Sequence, residues 1–358
     1  MAVLSVGTAQ PRSRCGLGPD VTASAPHLVV LTGADPDLPP PDLAALEAEA
    51  AISVVAPGQH SNLVATADVV LVWDTTFPAI DHVLRDATGA SWIHVAAAGL
   101  DAVLSPRLGH LTATVTTAAG IQDEDIAEFV VAAALSHVKE FDLAARQQDG
   151  RLWKEISVRR LAGSTCLVVG CGGIGRATAR KLRALGVHVR GAGRTARTED
   201  PDFDRITNSA DMTSELRWAD LVVVATPLTA RTAGIVDASA LASMKSDAHL
   251  VNVARGGCVV EADLVDAVRW GVIGAATLDV TVDEPLGRDS PLWAVPRIRI
   301  NPHSSANTAD LLGAFRDRFV DDFDRWKTGT LTGTSVADHV QEIWGRLGES
   351  NPRPSHYE

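Results

Sequence analysis

From residue 27 onward, short apolar runs alternate with stretches whose apolar residues recur every three or four positions. That alternation predicts strands separated by helices, the pattern of an α/β protein with parallel sheets. The first series of strands is expected at His27–Gly33, Ala51–Val55, Ala67–Trp73, Trp92–Ala96 and Thr112–Thr117. Helices are expected over Pro41–Ala50 and Pro78–Ala87, each opening with a proline that the first helical position tolerates. A long connecting helix should start from a capping box of Asp125 and Glu128 and run to about Ala145. Six more strands are expected at Thr165–Gly170, Val187–Gly191, Asp220–Ala225, Ala248–Ala254, Ala275–Val280 and Arg297–Asn301. Most are apolar nearly throughout, as strands buried on both faces are. A last helix, Ala309–Trp326, has no strand pattern after it and should return to pack on the first unit.

The expected architecture is therefore two doubly wound parallel-sheet domains. Residues 27–124 and 304–330 form one and 125–303 the other, with a loose leader (1–26) and a C-terminal tail (331–358) outside both. A length of 358 residues suits two such units. The formal charge of −12 speaks against nucleic acid or an anionic membrane as partner, because both need clustered Lys and Arg. Cys15, Cys166, Cys171 and Cys258 show no paired spacing, so neither a metal site nor a disulfide framework is expected. No apolar run reaches the ~20 residues of a membrane helix. The N-terminus lacks the basic and apolar regions of a signal peptide, so a cytoplasmic location is expected.

Chemistry concentrates in the second unit. Gly170-Cys171-Gly172-Gly173-Ile174-Gly175 follows one predicted strand and opens a helix over Ile174–Leu185 that Gly186 closes. In that context G-x-G-x-x-G is a dinucleotide loop. Gly170 makes the tight turn, Gly172 admits the pyrophosphate, and Gly175 allows close helix–strand packing. Gly173 and Ile174 complete the helix N-terminus, whose free N–H groups suit an anion.

Nineteen residues past Gly175, where an NAD site carries an acid, stand Arg194, Thr195 and Arg197. No carboxylate occurs between Val187 and Thr198. Two guanidinium groups and a hydroxyl can hold a 2′-phosphate, which predicts NADPH over NADH. The competing reading is a solvated arginine turn. Arg255, Glu284 and His303 fall just past the fourth, fifth and sixth strands, where ligands bind in open α/β sheets. Each taken alone could be structural; on successive strand ends beside a dinucleotide loop they form a candidate catalytic set.

These residues resemble those of the D-isomer-specific 2-hydroxyacid dehydrogenases. The likeness is densest in Ala225-Thr226-Pro227-Leu228-Thr229, Asn252-Val253-Ala254-Arg255-Gly256-Gly257, Glu284-Pro285, Pro291-Leu292-Trp293 and Pro302-His303. The spacing of Arg255, Glu284 and His303 is similar to that of the glyoxylate/hydroxypyruvate reductase branch. The resemblance implies a Rossmann cofactor domain inserted into a flavodoxin-like substrate domain, and hydride transfer between NAD(P)H and a small 2-oxo acid. It implies cofactor contacts at Thr226, Pro227, Val253, Ala254 and Asp279, the last accepting from the carboxamide. It also implies substrate contacts at Ala98 and Gly99, in Ala97-Ala98-Gly99-Leu100-Asp101.

In the implied mechanism Arg255 grips the 2-oxo acid and His303 donates the proton. Glu284 keeps the imidazole charged. The segment around Gln122–Trp153 resembles the arm through which this family forms homodimers. The alternative class is a nucleotide-sensing corepressor or scaffold on the same fold.

Overall fold

The computed structural model describes residues 25–33, 38–58, 62–100 and 103–344. Nearly all of the expected leader, with Cys15, lies outside these, as do Asp101 and residues 345–358. The first sheet contains β1 (His27–Leu31), β2 (Ala51–Val55), β3 (Val69–Val72), β4 (Trp92–Val95) and β5 (Thr114–Thr117). They pair in parallel in the order β2-β1-β3-β4-β5, which is the flavodoxin-like order.

Two predicted helices shrink. The stretch 41–50 forms a single 3-10 turn, Ala44–Leu46, because Pro39, Pro40 and Pro41 hold the chain before it extended. Only Ile80–Arg85 (α1) is helical in 78–87, since Ala79 adopts a left-handed conformation at φ 53° and separates Pro78 from the helix.

The connecting helix α2 spans Asp123–Val138 and starts three residues earlier than the capping box requires. Asp125 and Glu128 are already inside it. Its first turn holds Asp123, Glu124 and Asp125, acids that suit the positive end of the helix dipole. It does not reach Ala145 unbroken. Glu140 takes φ 53°, and a separate helix α3 resumes at Phe141–Asp149.

The second sheet is parallel throughout. Its strands are β6 (Thr165–Val169), β7 (His188–Gly193), β8 (Ile206–Asn208), β9 (Leu221–Val224), β10 (His249–Asn252), β11 (Ala275–Leu278) and β12 (Ile298–Ile300). The spatial order β8-β7-β6-β9-β10-β11-β12 is the Rossmann order with a seventh strand added. Strand β8, three residues at the edge, is the one the apolar pattern does not announce. Helices α4 (Gly173–Ala184), α5 (Thr213–Trp218), α6 (Ala238–Ser243) and α7 (Glu261–Arg269) cover this sheet.

Helix α8 (Leu311–Lys327) returns to the first sheet. Leu311, Phe315, Phe319 and Phe323 pack with Leu28, Leu71 and Trp92, and the Phe319 and Trp92 rings stack at 5.1 Å. The tail expected from residue 331 is structured as far as 344. Thr334–Ser335 (β13) pairs antiparallel with β5, and α9 (Val336–Trp344) buries Val336 and Val340 in the first unit. Among the described residues no helix is long and apolar enough to cross a membrane.

His94 lies inside that aromatic core, fully buried beside Trp92 and Phe319. Thr116 Oγ1 takes a hydrogen bond from Trp92 Nε1 (2.9 Å) and meets His94 Nδ1 at 2.8 Å, while His94 Nε2 has no partner. Burial lowers its pKa from 6.5 to about 4, against the pull of Asp322 and helped by Arg318. The folded value lies below the unfolded one. The stabilisation is therefore complete above pH 6.5 and is lost as the pH falls toward 4. On this group alone, the unfolding free energy should drop by about 2 kcal/mol between pH 7 and pH 5. Urea titrations at both pH values should give a smaller drop for His94→Gln. An equal drop in the two proteins would contradict the assignment.

Candidate active site

The Rossmann order places β6 beside β9 at the centre of the second sheet, and their chains leave in opposite directions. Gly170 ends β6 at φ +109°, and a Cβ on it would lie 2.3 Å from Ala225 O. A Cβ on Gly175 would lie 1.9 Å from Gly170 O. Both positions therefore require glycine, and for the reasons the motif predicts: a tight turn and a close helix contact.

Gly172 is different. It precedes the first residue of α4, has no side-chain cap, and a Cβ there would meet nothing within 4 Å. The space above it and the uncapped N–H groups of a twelve-residue helix fit a dinucleotide pyrophosphate. Ile174 packs down on the core beneath β6 instead. Gly173 faces Asp123, whose carboxylate occupies the place of a side chain there. Nothing in the spacing of the chain announces that contact.

The arginine loop follows β7. Arg194 and Thr195 are exposed. Arg197 is exposed as well, and its Nε and Nη2 each lie 2.8 Å from Asp200 Oδ2. The side chain of Asp200 is 2% exposed and also takes a two-point bond from Arg176 (3.0 Å each). The side chain of Arg176 holds the Asp200 carboxyl well below the usual range, with Arg197 adding to the effect. The loop is thus less cationic than 194–197 alone implies, because its acid comes just after that window and folds back.

At the far strand ends, Asn252 is buried at the end of β10. Its amide clamps the next turn, accepting from Ala254 N (3.1 Å) and donating to Arg255 O (3.0 Å). An asparagine inside an otherwise apolar strand is a visible signal of such a turn. Val253 and Ala254 are buried, Thr226 is half-buried and Pro227 exposed. Arg255 Nη1 donates to Ala254 O at 2.8 Å.

His303 Nδ1 stands 2.8 Å from Glu284 Oε2, and Glu284 Oε1 accepts from Thr281 N at 3.0 Å. Both side chains are partly open, His303 at 50% and Glu284 at 37%. The hydrogen bond to Glu284 raises the His303 pKa above 6.5, while burial and the Arg255 charge oppose it. For Glu284 burial alone would push the pKa up, but the bonds from His303 and Thr281 N outweigh it and the carboxyl stays below its ordinary value. Arg255 is near enough for its charge to act on both groups.

Asp279 also builds the turn that carries His303. Its carboxylate is 2% exposed and accepts from Asn301 Nδ2 (2.6 Å), Ser304 N (3.0 Å), Ser305 N (3.1 Å) and Ser305 Oγ (2.5 Å). Its carbonyl takes His303 N at 2.8 Å. His303 itself sits at φ +48°, a conformation costing a non-glycine residue roughly 1–2 kcal/mol. The Asp279 bonds hold the turn there. In the first unit, Ala98 and Gly99 follow β4 as half-buried loop residues, at the carboxyl edge of that sheet.

Residues 131–305 match the family described as D-isomer specific 2-hydroxyacid dehydrogenase, NAD binding domain. Glyoxylate/hydroxypyruvate reductase A of Yersinia enterocolitica is 30% identical over 251 residues, covering 68% of this chain and 78% of that protein. Its counterpart in Photorhabdus laumondii is 30% identical over 287 residues, covering 76% and 86%. Among solved structures, a D-isomer specific 2-hydroxyacid dehydrogenase from Xanthobacter autotrophicus Py2, in complex with NADPH and MES, superposes with a TM-score of 0.74. It is 26% identical and covers 87% of this chain and 98% of that one. The NADPH-dependent glyoxylate/hydroxypyruvate reductase of Sinorhizobium meliloti, in complex with NADP and sulfate, gives 0.73 at 25% identity, covering 86% and 97%. The chain belongs to the D-isomer-specific 2-hydroxyacid dehydrogenase family and is an NAD(P)-dependent oxidoreductase.

Proposed function

We propose that this protein reduces small 2-oxo acids of the glyoxylate/hydroxypyruvate class to D-2-hydroxy acids, with NADPH as the preferred cofactor. The observation that carries the reading is the 2.8 Å bond between His303 and Glu284, set beside Arg255 on the carboxyl edge of a Rossmann sheet. The reductase names of the relatives support this reading over the corepressor or scaffold one.

Gly170, Gly172, Gly173 and Gly175 would hold the pyrophosphate on α4, and Thr226, Pro227, Val253 and Ala254 would line the rest of the cofactor's path. When bound, the nucleotide supplies the hydride that adds to the carbonyl carbon. Arg255 grips the carboxylate and the carbonyl oxygen of the substrate with its planar fork and polarises the carbonyl. The amides of Ala98 and Gly99 take the substrate carboxylate from the other side. His303 delivers its Nε2 proton to the carbonyl oxygen and becomes neutral. Glu284 favours the charged imidazole beforehand, so the acid is loaded near neutral pH. Asp279 acts here through the 301–305 turn that aims the imidazole.

The exposed side chains of Phe141, Leu152, Trp153 and Val158, from 51% to fully open, support a homodimer formed through residues 141–158. A cytoplasmic location fits the free Cys166, Cys171 and Cys258.

His303→Ala should lower kcat for glyoxylate reduction by about 10²–10⁴-fold while leaving the NADPH Kd nearly unchanged. In the wild type, activity should hold at low pH and fall as the pH rises through the raised His303 pKa. Glu284→Gln should move that falling limb to lower pH. A pH–rate series in the reductive direction tests all three statements, and an unchanged kcat in His303→Ala would remove the assignment.

The 2′-phosphate selectivity should rest on Arg194, Thr195 and Arg197 together, with Arg197 already held by Asp200. Wild-type kcat/KM should favour NADPH over NADH by about tenfold or more, one charge-assisted bond's worth. Arg194→Ala should lower that preference and spare NADH; equal use of both cofactors by the wild type would leave only a solvated turn.

Sedimentation at micromolar concentration should give a dimer mass for the wild type and a monomer mass for Trp153→Asp. A monomeric wild type would end the dimer reading.

A further inference from the structure

The turn that carries Glu284 is held from outside by a side chain with no part in the steps above. Glu261, half-buried at the first position of α7, accepts a hydrogen bond from Val282 N at 2.6 Å through Oε1. One residue earlier, Thr281 N donates to Glu284 Oε1, and Thr281 Oγ1 donates to Asp283 O at 2.8 Å. Successive backbone N–H groups of this turn therefore go to two different carboxylates, one inside the turn and one on α7.

The same stretch of chain touches the turn a second time. A Cβ on Gly256 would lie 2.0–2.3 Å from Thr281 C, Thr281 O and Val282 N, so the turn rests directly on the backbone after Arg255. Residues 255–261 thus present Arg255 at one end, a bare backbone seat in the middle and the Glu261 carboxylate at the other. The geometry fastens the Glu284 turn to the segment that carries Arg255.

We propose that Glu261 is a positioning residue. By holding Val282 N it sets the 281–284 turn, and through that turn the hydrogen bond from Glu284 to His303. This inference rests on the reading of His303 as the acid. Burial, then the charges of Asp283 and Glu284, push the Glu261 carboxyl above its ordinary range, and the Val282 N–H pulls against them. The group is therefore packed close to the acids it organises. What the turn needs from it is an acceptor oxygen at the right distance, which glutamine also has, aspartate holds one methylene short, and alanine lacks.

The test is a pH–rate series on the full chain, comparing wild type with Glu261→Gln, Glu261→Ala, Glu261→Asp, His303→Ala and Glu284→Gln. Melting temperature and NADPH Kd are measured alongside. Glu261→Gln should keep kcat within about twofold and leave the falling limb in place, because the acceptor remains. Glu261→Ala should lower kcat about tenfold, a modest cost for displaced catalytic geometry, with the NADPH Kd unchanged. Its falling limb should shift to lower pH, as in Glu284→Gln, because the imidazolium loses its aligned partner. Should the alanine variant fail to fold, Glu261→Asp decides, since it keeps the charge and should show the same shift. A wild-type profile in both Glu261→Ala and Glu261→Asp overturns the proposal, and so does a Glu261→Gln defect as deep as that of alanine. If instead His303→Ala and Glu284→Gln leave rate and profile untouched, the reading of the acid itself falls.

Discussion

Parallel pairing is the constraint from which the candidate site follows. In the seven-stranded sheet every strand runs the same way, so each one finishes on the same edge. Polar residues placed one to six positions past a strand end therefore meet without any long-range instruction. Gly170, Thr226, Arg255, Asp279, Glu284 and His303 all follow that rule. The reversal of order between β6 and β9 opens the crevice, and the close approach of Gly170 to Ala225 sets how tightly it is closed below.

Carboxylates do much of the building at this edge. Asp200 is buried between two arginines, Asp279 is filled by the loop that carries His303, and Glu284 shares its two oxygens between a backbone amide and an imidazole. A carboxylate offers several acceptor sites, so one side chain can fix two or three donors at once. That suits turns, where amide groups have no ladder partner. The net charge of −12 thus understates the order in its distribution: some of the acids with most to do are buried, and each gathers side-chain and backbone donors together.

How much of this could be seen in the residues alone depends on whether the controlling contact is local. The central strands were legible because burial on both faces leaves near-continuous apolar runs, as in Leu221–Val224. The glycine loop was legible because its motif is complete within six residues, although the contact that demands Gly170 comes from Ala225. The stretch 41–50 misled, since its spacing suits a helix while three prolines before Ala44 forbid an early start. Strand β8 escaped because three residues on an edge carry no periodicity. The partner of Arg197 lies three positions on and is brought back by the bridge between Arg197 and Ile206. The burden on Asp279 was invisible for a similar reason: its partners stand more than twenty residues away and meet it only once β11 and β12 are paired.

The return of α8 to the first sheet has a consequence for a chain emerging from the ribosome. Leu28 and Trp92 leave the exit tunnel early, but the phenylalanines that cover them, Phe315, Phe319 and Phe323, follow more than two hundred residues later. At roughly 5–20 residues per second, that interval is on the order of ten seconds or more. Throughout it the first sheet has one apolar face without its cover, while the inserted unit between them is already long enough to fold. Synthesis order and folding order thus run opposite ways here. The first-made half of the protein is the last to be finished, and its open face is what a chaperone would meet.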